Sequence, residues 1–219
     1  MGSLCATNST ELPSEKALTL EEIKILKNER SFSWGKLNTE SILQALKSQG
    51  QGKSLTQRQL ESLCDELGTS KSDLFESLKN SEGSYDIKKL AVLAILTGKG
   101  NPSSKANWMF EHFASQEDLT ENELTTLLED VHDISANLTP RLSLGSDEDH
   151  LTSEEIDLYT EPLKTKKEAF VRKGCESILT NGRVSQSEFC AILGDNQHSF
   201  GRIYVTNGVR KTVRLIKDD

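Results

Sequence analysis

At 219 residues, 35% of them apolar and with a mean hydropathy of −0.50, the chain is long enough to bury one or two cores and has no apolar run approaching a membrane span. A net charge of −8 argues against nucleic acid as the main partner, because a phosphate backbone repels an acidic surface. The four cysteines (Cys5, Cys64, Cys175, Cys190) lack CxxC spacing and read as reduced thiols, not as a disulfide framework.

Residues 1–17 are polar and Ser/Thr-rich and are expected to form a flexible tail without the apolar region of a signal peptide. Met1-Gly2-Ser3-Leu4-Cys5-Ala6 resembles an N-myristoylation signal. Gly2 would be the acceptor, with Cys5 placed for palmitoylation; Ala6 departs from the usual Ser or Thr. Two acyl chains would tether the protein stably to a membrane, and one only weakly.

Thr19-x-x-Glu22 is a capping box opening a helix to about Arg30, followed by a loop at Ser31–Lys36. A helix through Ile42, Leu43 and Leu46 ends at a Gly50–Ser54 linker. Thr56-x-x-Gln59 opens the next helix, which Gly68 terminates. A short helix carries Leu74 and Leu78, Asn80–Gly83 turns the chain, and the most apolar helix runs Ile87–Thr97. Gly98–Pro102 breaks the pattern and is taken as the boundary between two lobes. A helix over Ser103–Ala114 precedes an amphipathic one through Leu124, Leu127, Leu128, Val131 and Ile134. Asn137–His150 reads as a polar, partly acidic linker. Thr152-x-x-Glu155 starts a segment interrupted at Pro162, which resumes as a basic helix to Leu179. Asn181-Gly182 leads into a last short helix ending near Gly194.

A six-residue cassette recurs along this path: an apolar residue, a capping residue, two variable positions, a polar closer and another apolar residue. It is Leu37-Asn38-x-x-Ser41-Ile42, Tyr85-Asp86-x-x-Lys89-Leu90, Leu119-Thr120-x-x-Glu123-Leu124 and Val184-Ser185-x-x-Glu188-Phe189. With the helix–loop–helix rhythm, it resembles the back half of an EF-hand. Over residues 18–194 the chain is similar to four-hand proteins of the calmodulin superfamily, such as the recoverin and calcineurin B groups. The resemblance implies an all-α fold of four degenerate EF-hand-like units in two lobes (18–100 and 101–196). It also implies short strand bridges joining Leu37 to Tyr85 and Leu119 to Val184, and a groove for a partner's amphipathic helix or basic segment, lined by Met109, Phe110, Phe113, Leu127, Leu128 and Val131.

The calcium ligands of such a family are missing. A calcium loop needs oxygens at positions 1, 3, 5 and 9, Gly at 6 and a bidentate Glu at 12. With Gly35 or Gly83 at the glycine position, the first loop presents Arg30, Phe32 and Trp34 and the second begins at Leu78 and ends at Lys89. The third loop, Phe113–Leu119, is too short, leaving Glu123 without partners at its front. The fourth offers Asn181 and Glu188, the weak candidates, but has Ser177 and Leu179 at positions 1 and 3. No metal or other cofactor is expected. The histidines (His112, His132, His150, His198) form no catalytic signature and no nucleotide-binding loop is present, so an enzyme is not expected.

Arg202–Val205 and Val209–Ile216 alternate about Thr206-Asn207-Gly208 and predict a C-terminal β-hairpin within residues 197–219, with Arg202, Arg210 and Arg214 on its exposed face. Glu117–Glu161 holds 14 acidic residues against one Arg, a solvated face or a surface for a basic partner. The sequence thus points to a cytoplasmic, membrane-tethered adaptor or regulatory subunit that binds protein without calcium. The alternatives are a calcium sensor with one unconventional hand, a structural component of a cytoskeletal or membrane-associated assembly, and the N-terminal part of a longer architecture.

Overall fold

The computed structural model describes residues 18–49, 52–70 and 72–217. Helix α1 (Leu20–Ser31) begins where Thr19 is extended and its hydroxyl accepts the Glu22 N–H. A 3₁₀ turn over Ser33–Lys36 then buries Trp34 against Phe32 and Phe75, with ring centroids 6.3 and 5.0 Å away. Gly35 is required there, since a Cβ would lie 2.9 Å from the Glu29 carbonyl oxygen.

Helices α2 (Thr39–Gln49) and α3 (Gln57–Glu66) flank strand β1 (Ser54–Leu55). Helices α4 (Asp73–Glu76) and α5 (Ile87–Thr97) flank strand β2 (Tyr85–Asp86). The two units join antiparallel, Leu55 opposite Tyr85 and Ser54 opposite Asp86. Leu37 therefore does not pair with Tyr85, as the sequence reading expected. It precedes α2, and its carbonyl accepts the Lys99 N–H at 2.7 Å. The α2–α3 turn delivers Leu55 instead, and Leu55-Thr56-x-x-Gln59-Leu60 is itself a copy of the cassette.

The arrangement repeats. Helices α6 (Pro102–Phe113) and α7 (Glu121–His132) flank β3 (Asp118–Thr120), and α9 (Lys167–Ile178) and α10 (Gln186–Gly194) flank β4 (Arg183–Ser185). Here Leu119 stands opposite Val184. Helix α6 packs on α10 and α7 on α9.

Three further segments cover this frame. The expected linker 137–150 is in part packed: a π-helical turn (Asp133–Leu138) buries Ile134, Ala136 and Leu138 against α7, α8 and α11, and a 3₁₀ turn (Thr139–Ser143) buries Thr139 and Ser143 beside α1. Their charges are confined to the ends, so the middle can dock. Helix α8 (Ser153–Lys164) carries Pro162 in its last turn, and the chain bends only at Thr165–Lys166.

The predicted C-terminal hairpin is a helix, α11 (Thr206–Leu215). Val209, Val213 and Ile216 recur at helical spacing and are all buried; the same short run also fits an alternating pattern. Burial of Arg210 decides between the two periods, because a hairpin face in water would leave that charge outside. Gly208 sits in the first turn, where a Cβ would lie 1.9 Å from the Arg202 carbonyl oxygen.

The two β pairs described above are the sheets of an otherwise helical molecule. One hydrophobic cluster runs from Phe32 to Ile216 and takes side chains from both sides of Gly98–Pro102. That corner is tight: Asn101 caps α6, Pro102 opens it, and Lys99 bridges back to the start of α2. Among the described residues, no helix is long and apolar enough to cross a membrane.

Candidate functional site

Three of the four loops that precede the strands are closed by their own side chains, and the fourth by a backbone turn. In the first unit, Gln59 Oε1 accepts from the N–H and hydroxyl of Thr56, both at 2.9 Å. Its Nε2 donates to the Gln49 carbonyl at 2.9 Å, across the loop. In the third, Glu123 does the same with a charge. One carboxylate oxygen takes the N–H and hydroxyl of Ser115, where the loop begins, and the other takes those of Thr120, where α7 begins. Partial burial pushes this carboxyl up, but the four donors outweigh it and hold Glu123 at about 2. Ser115 thus binds Glu123 from the front of the loop as a hydrogen-bond donor.

In the second unit, Asn80 Oδ1 accepts from the N–H groups of Glu82 and Ser84, both at 3.0 Å, and Gly83 turns the chain at φ 73°. Asp86 caps α5 through Lys88 and Lys89 N–H. Lys89, at the closing position, reaches back to Asp130 of α7, with Nζ 3.6 Å from a carboxylate that is 8% exposed. Burial raises the Asp130 carboxyl to about 6 despite this lysine.

In the fourth unit, Asn181 (φ 54°) and Gly182 (φ 76°) form a left-handed turn between Thr180 and Arg183. Glu188 is exposed and bonds the Ser185 N–H at 3.1 Å and hydroxyl at 2.6 Å, which is a helix cap. Ser177 and Leu179 place no carboxylate opposite it. Among the described residues, no group of three or more His, Cys, Asp or Glu is arranged to hold a metal ion.

The expected partner groove is filled. Met109, Phe110, Phe113, Leu127, Leu128 and Val131 are each at most 4% exposed. Helix α10 packs against α6, and α11 and the 133–138 turn pack against α7, so the faces the sequence reading left for a partner are covered by the chain's own later residues. The acidic stretch around Asp147–Asp149 is also engaged. Lys27 pairs with Asp149 at 2.6 Å, Asn28 donates to the Asp149 carbonyl, and Lys24 donates to the His150 carbonyl.

Sequence reasoning missed a buried ionic cluster. Arg210, fully buried on α11, bonds Glu22 and Glu29 of α1 and the Ser135 carbonyl. Arg214 adds a second contact to Glu22 at 2.7 Å, and Tyr159 of α8 donates to the same carboxylate. Burial drives the Glu22 carboxyl up; the Arg210 charge and the Tyr159 and Arg214 hydrogen bonds more than reverse this and hold it below its ordinary range. The Arg210 position was identifiable through its place on the inward side of the 209–213–216 helical stripe.

An open trough of about 780 Å³ lies between α7 and α9 on the outer surface, lined in part by Thr125, Val171, Cys175 and Leu179. Cys175 is half-buried, with Sγ 3.5 Å from the Thr125 hydroxyl. Gly2 and Cys5, the lipidation candidates, lie outside the described residues, as does the tail 1–17. His112, His132, His150 and His198 sit on separate elements, and His132 is buried with Nε2 3.0 Å from the Leu163 carbonyl oxygen. No protein-family model, curated protein or solved structure matches the chain.

Proposed function

We propose that the chain is a non-catalytic, EF-hand-like adaptor or regulatory subunit that binds a protein partner without calcium. The observation that carries this reading is the use of Gln59 and Glu123 as covalently attached loop closers. In a calcium loop the residue at the closing position gives both oxygens to the metal. Glu123 gives both to Ser115 and Thr120, which supports a loop closed by its own side chains in place of an ion. Lys89 at the equivalent position of the second loop supports the same reading, since a cation there repels a metal. The paired short strands at Leu55–Tyr85 and Leu119–Val184 support likeness to paired hands.

Thermal unfolding with and without micromolar calcium tests the reading. A site binding the folded state at 100 times its Kd would add about 2.7 kcal/mol. An unchanged Tm is expected, and a calcium-dependent rise would return the chain to the sensor reading. Tethering to the cytoplasmic face of a membrane rests on Gly2 and Cys5; membrane fractionation of Gly2→Ala beside wild type tests it, with release of the variant expected.

A further inference from the structure

The interior groove being closed, any partner must use the outer surface, and the α7–α9 trough has the chemistry for one class of partner. Its apolar lining is Val171 and Cys175 from α9 and Leu179 just after it, with Thr125 beside them from α7. Its rim is charged, and the charges do not balance. Lys167 is held by Asp133 at 2.8 Å, outside the trough, and Arg172 faces Glu176 at 3.6 Å. Glu121 and Glu129 on α7 and Glu168 on α9 are exposed and have no ion-pair partner among the described residues. Carboxylates thus stand on both helices with an apolar strip between them. The strip follows α9 from Val171 to its end and on to the capping residue Leu179, roughly two helical turns.

We infer that this trough docks a basic amphipathic helix of a partner protein. The apolar stripe of that helix lies on Val171, Cys175 and Leu179, and its Lys or Arg side chains face Glu121, Glu129 and Glu168. The inference rests on the adaptor reading above and names its partner's chemistry. Charge complementarity of this kind sets orientation and on-rate, while the apolar strip holds the complex together.

The test uses the full chain and a fluorescein-labelled peptide with Leu and Lys at helical spacing, Leu-Lys-Lys-Leu-Leu-Lys-Leu-Leu-Lys-Lys-Leu-Leu-Lys-Leu. Bound peptide should slow iodoacetamide alkylation of Cys175 several-fold and leave Cys190, which lines a different surface hollow beside Asn107, unaffected. The E121Q/E129Q/E168Q variant should bind about tenfold more weakly. The E154Q/D157N/E161Q variant makes the same change in net charge on α8 and should stay within about twofold of wild type. Equal weakening in both variants would mean undirected attraction to an acidic protein and would overturn the trough. So would an unprotected Cys175 at saturating peptide, or no binding at all. A stoichiometric partner from native extract that the E121Q/E129Q/E168Q variant retains would also overturn the trough and leave the adaptor reading standing. Wild type that recovers no such partner would overturn the adaptor reading itself.

Discussion

Arg210 and Glu29, 181 residues apart in sequence, meet as a two-point ion pair, with Nη1 2.7 Å from Oε1 and Nη2 3.1 Å from Oε2. Further donors reach the two carboxylates: Thr206 gives its hydroxyl proton to Glu29 at 2.9 Å, and Arg210 Nε reaches Glu22 at 3.1 Å. The cluster joins the first described helix to the last. Buried pairs of this kind gain little net energy over an apolar core, because desolvation offsets the attraction; what they do is penalise every arrangement that leaves one charge alone. Helices α1 and α11 are therefore fixed in register against each other and over the 133–143 turns.

Arg210→Met should destabilise the fold by about 3–5 kcal/mol at pH 7, because it removes the guanidinium that buried Glu29 pairs with and one of the two that Glu22 pairs with. The pH dependence separates charge from packing. Glu22 is depressed in the folded wild type, so its contribution is present above the unfolded carboxyl value near ~4.3 and is lost as pH falls below it. In the variant, Glu22 has lost the Arg210 charge that lowers it and would take up a proton more readily, so the deficit should narrow toward pH 4. Urea unfolding at both pH values checks this; an equal deficit at each would assign the loss to packing.

The loop closers give a matched pair of variants. Glu123→Ala and Gln59→Ala should each cost about 1 kcal/mol, as loss of a helix cap does. They should differ in their response to acid. Glu123 sits at about 2, so its contribution holds above the unfolded value and disappears as pH falls from ~4.3 toward 2. Gln59 carries no proton and should show no such slope. Chemical denaturation from pH 2 to 7 would reveal parallel curves if the charge of Glu123 were irrelevant.

Much of the fold is legible because helix starts are written locally. Thr19, Thr56, Asp86, Thr120, Thr152 and Ser185 all cap helices, as their spacing predicts. The Leu119–Val184 register follows from two copies of one cassette. Which cassettes pair is not local. Leu37 and Leu55 both head a cassette, and only the tertiary path through α2 and α3 brings Leu55 to Tyr85. The C-terminus was misread for a related reason. Val209, Lys211, Val213 and Leu215 alternate while Val209, Val213 and Ile216 step helically, and the arbiter is the pair of carboxylates on α1. The candidate groove residues are legible as apolar; that α10 packs against α6, and α11 and the 133–138 turn against α7, is not local, because it depends on the tertiary path of later residues.

Gly208 offers a direct check on that placement. In an ordinary helix Gly→Ala stabilises by about 1 kcal/mol. Here a Cβ would meet the Arg202 carbonyl oxygen at 1.9 Å, backbone that cannot swing aside. Gly208→Ala should therefore destabilise, on the order of 1–3 kcal/mol. A rise in Tm would show that α11 does not pack against residues 202–205 in this way.

Asp130 gives a prediction of opposite sign to the Glu22 and Glu123 cases. Burial lifts its carboxyl to about 6, with Asp86 and Asp133 adding to the rise and Lys89, 3.6 Å away and half-exposed, opposing it. Between the unfolded value near ~3.9 and the folded value the native state binds more protons than the unfolded chain. Stability from this group is therefore greatest in acid, falls as pH rises through that window and levels off above about 6. Asp130→Asn keeps the shape, removes the titration, and should raise stability at pH 7 by an amount on the order of 1–2 kcal/mol, less whatever the Lys89 contact supplies. The informative quantity is the difference between the two proteins in urea at pH 4.5 and pH 7. It should grow with pH, and a constant difference would mean that Asp130 is ionised throughout, with Lys89 compensating its burial.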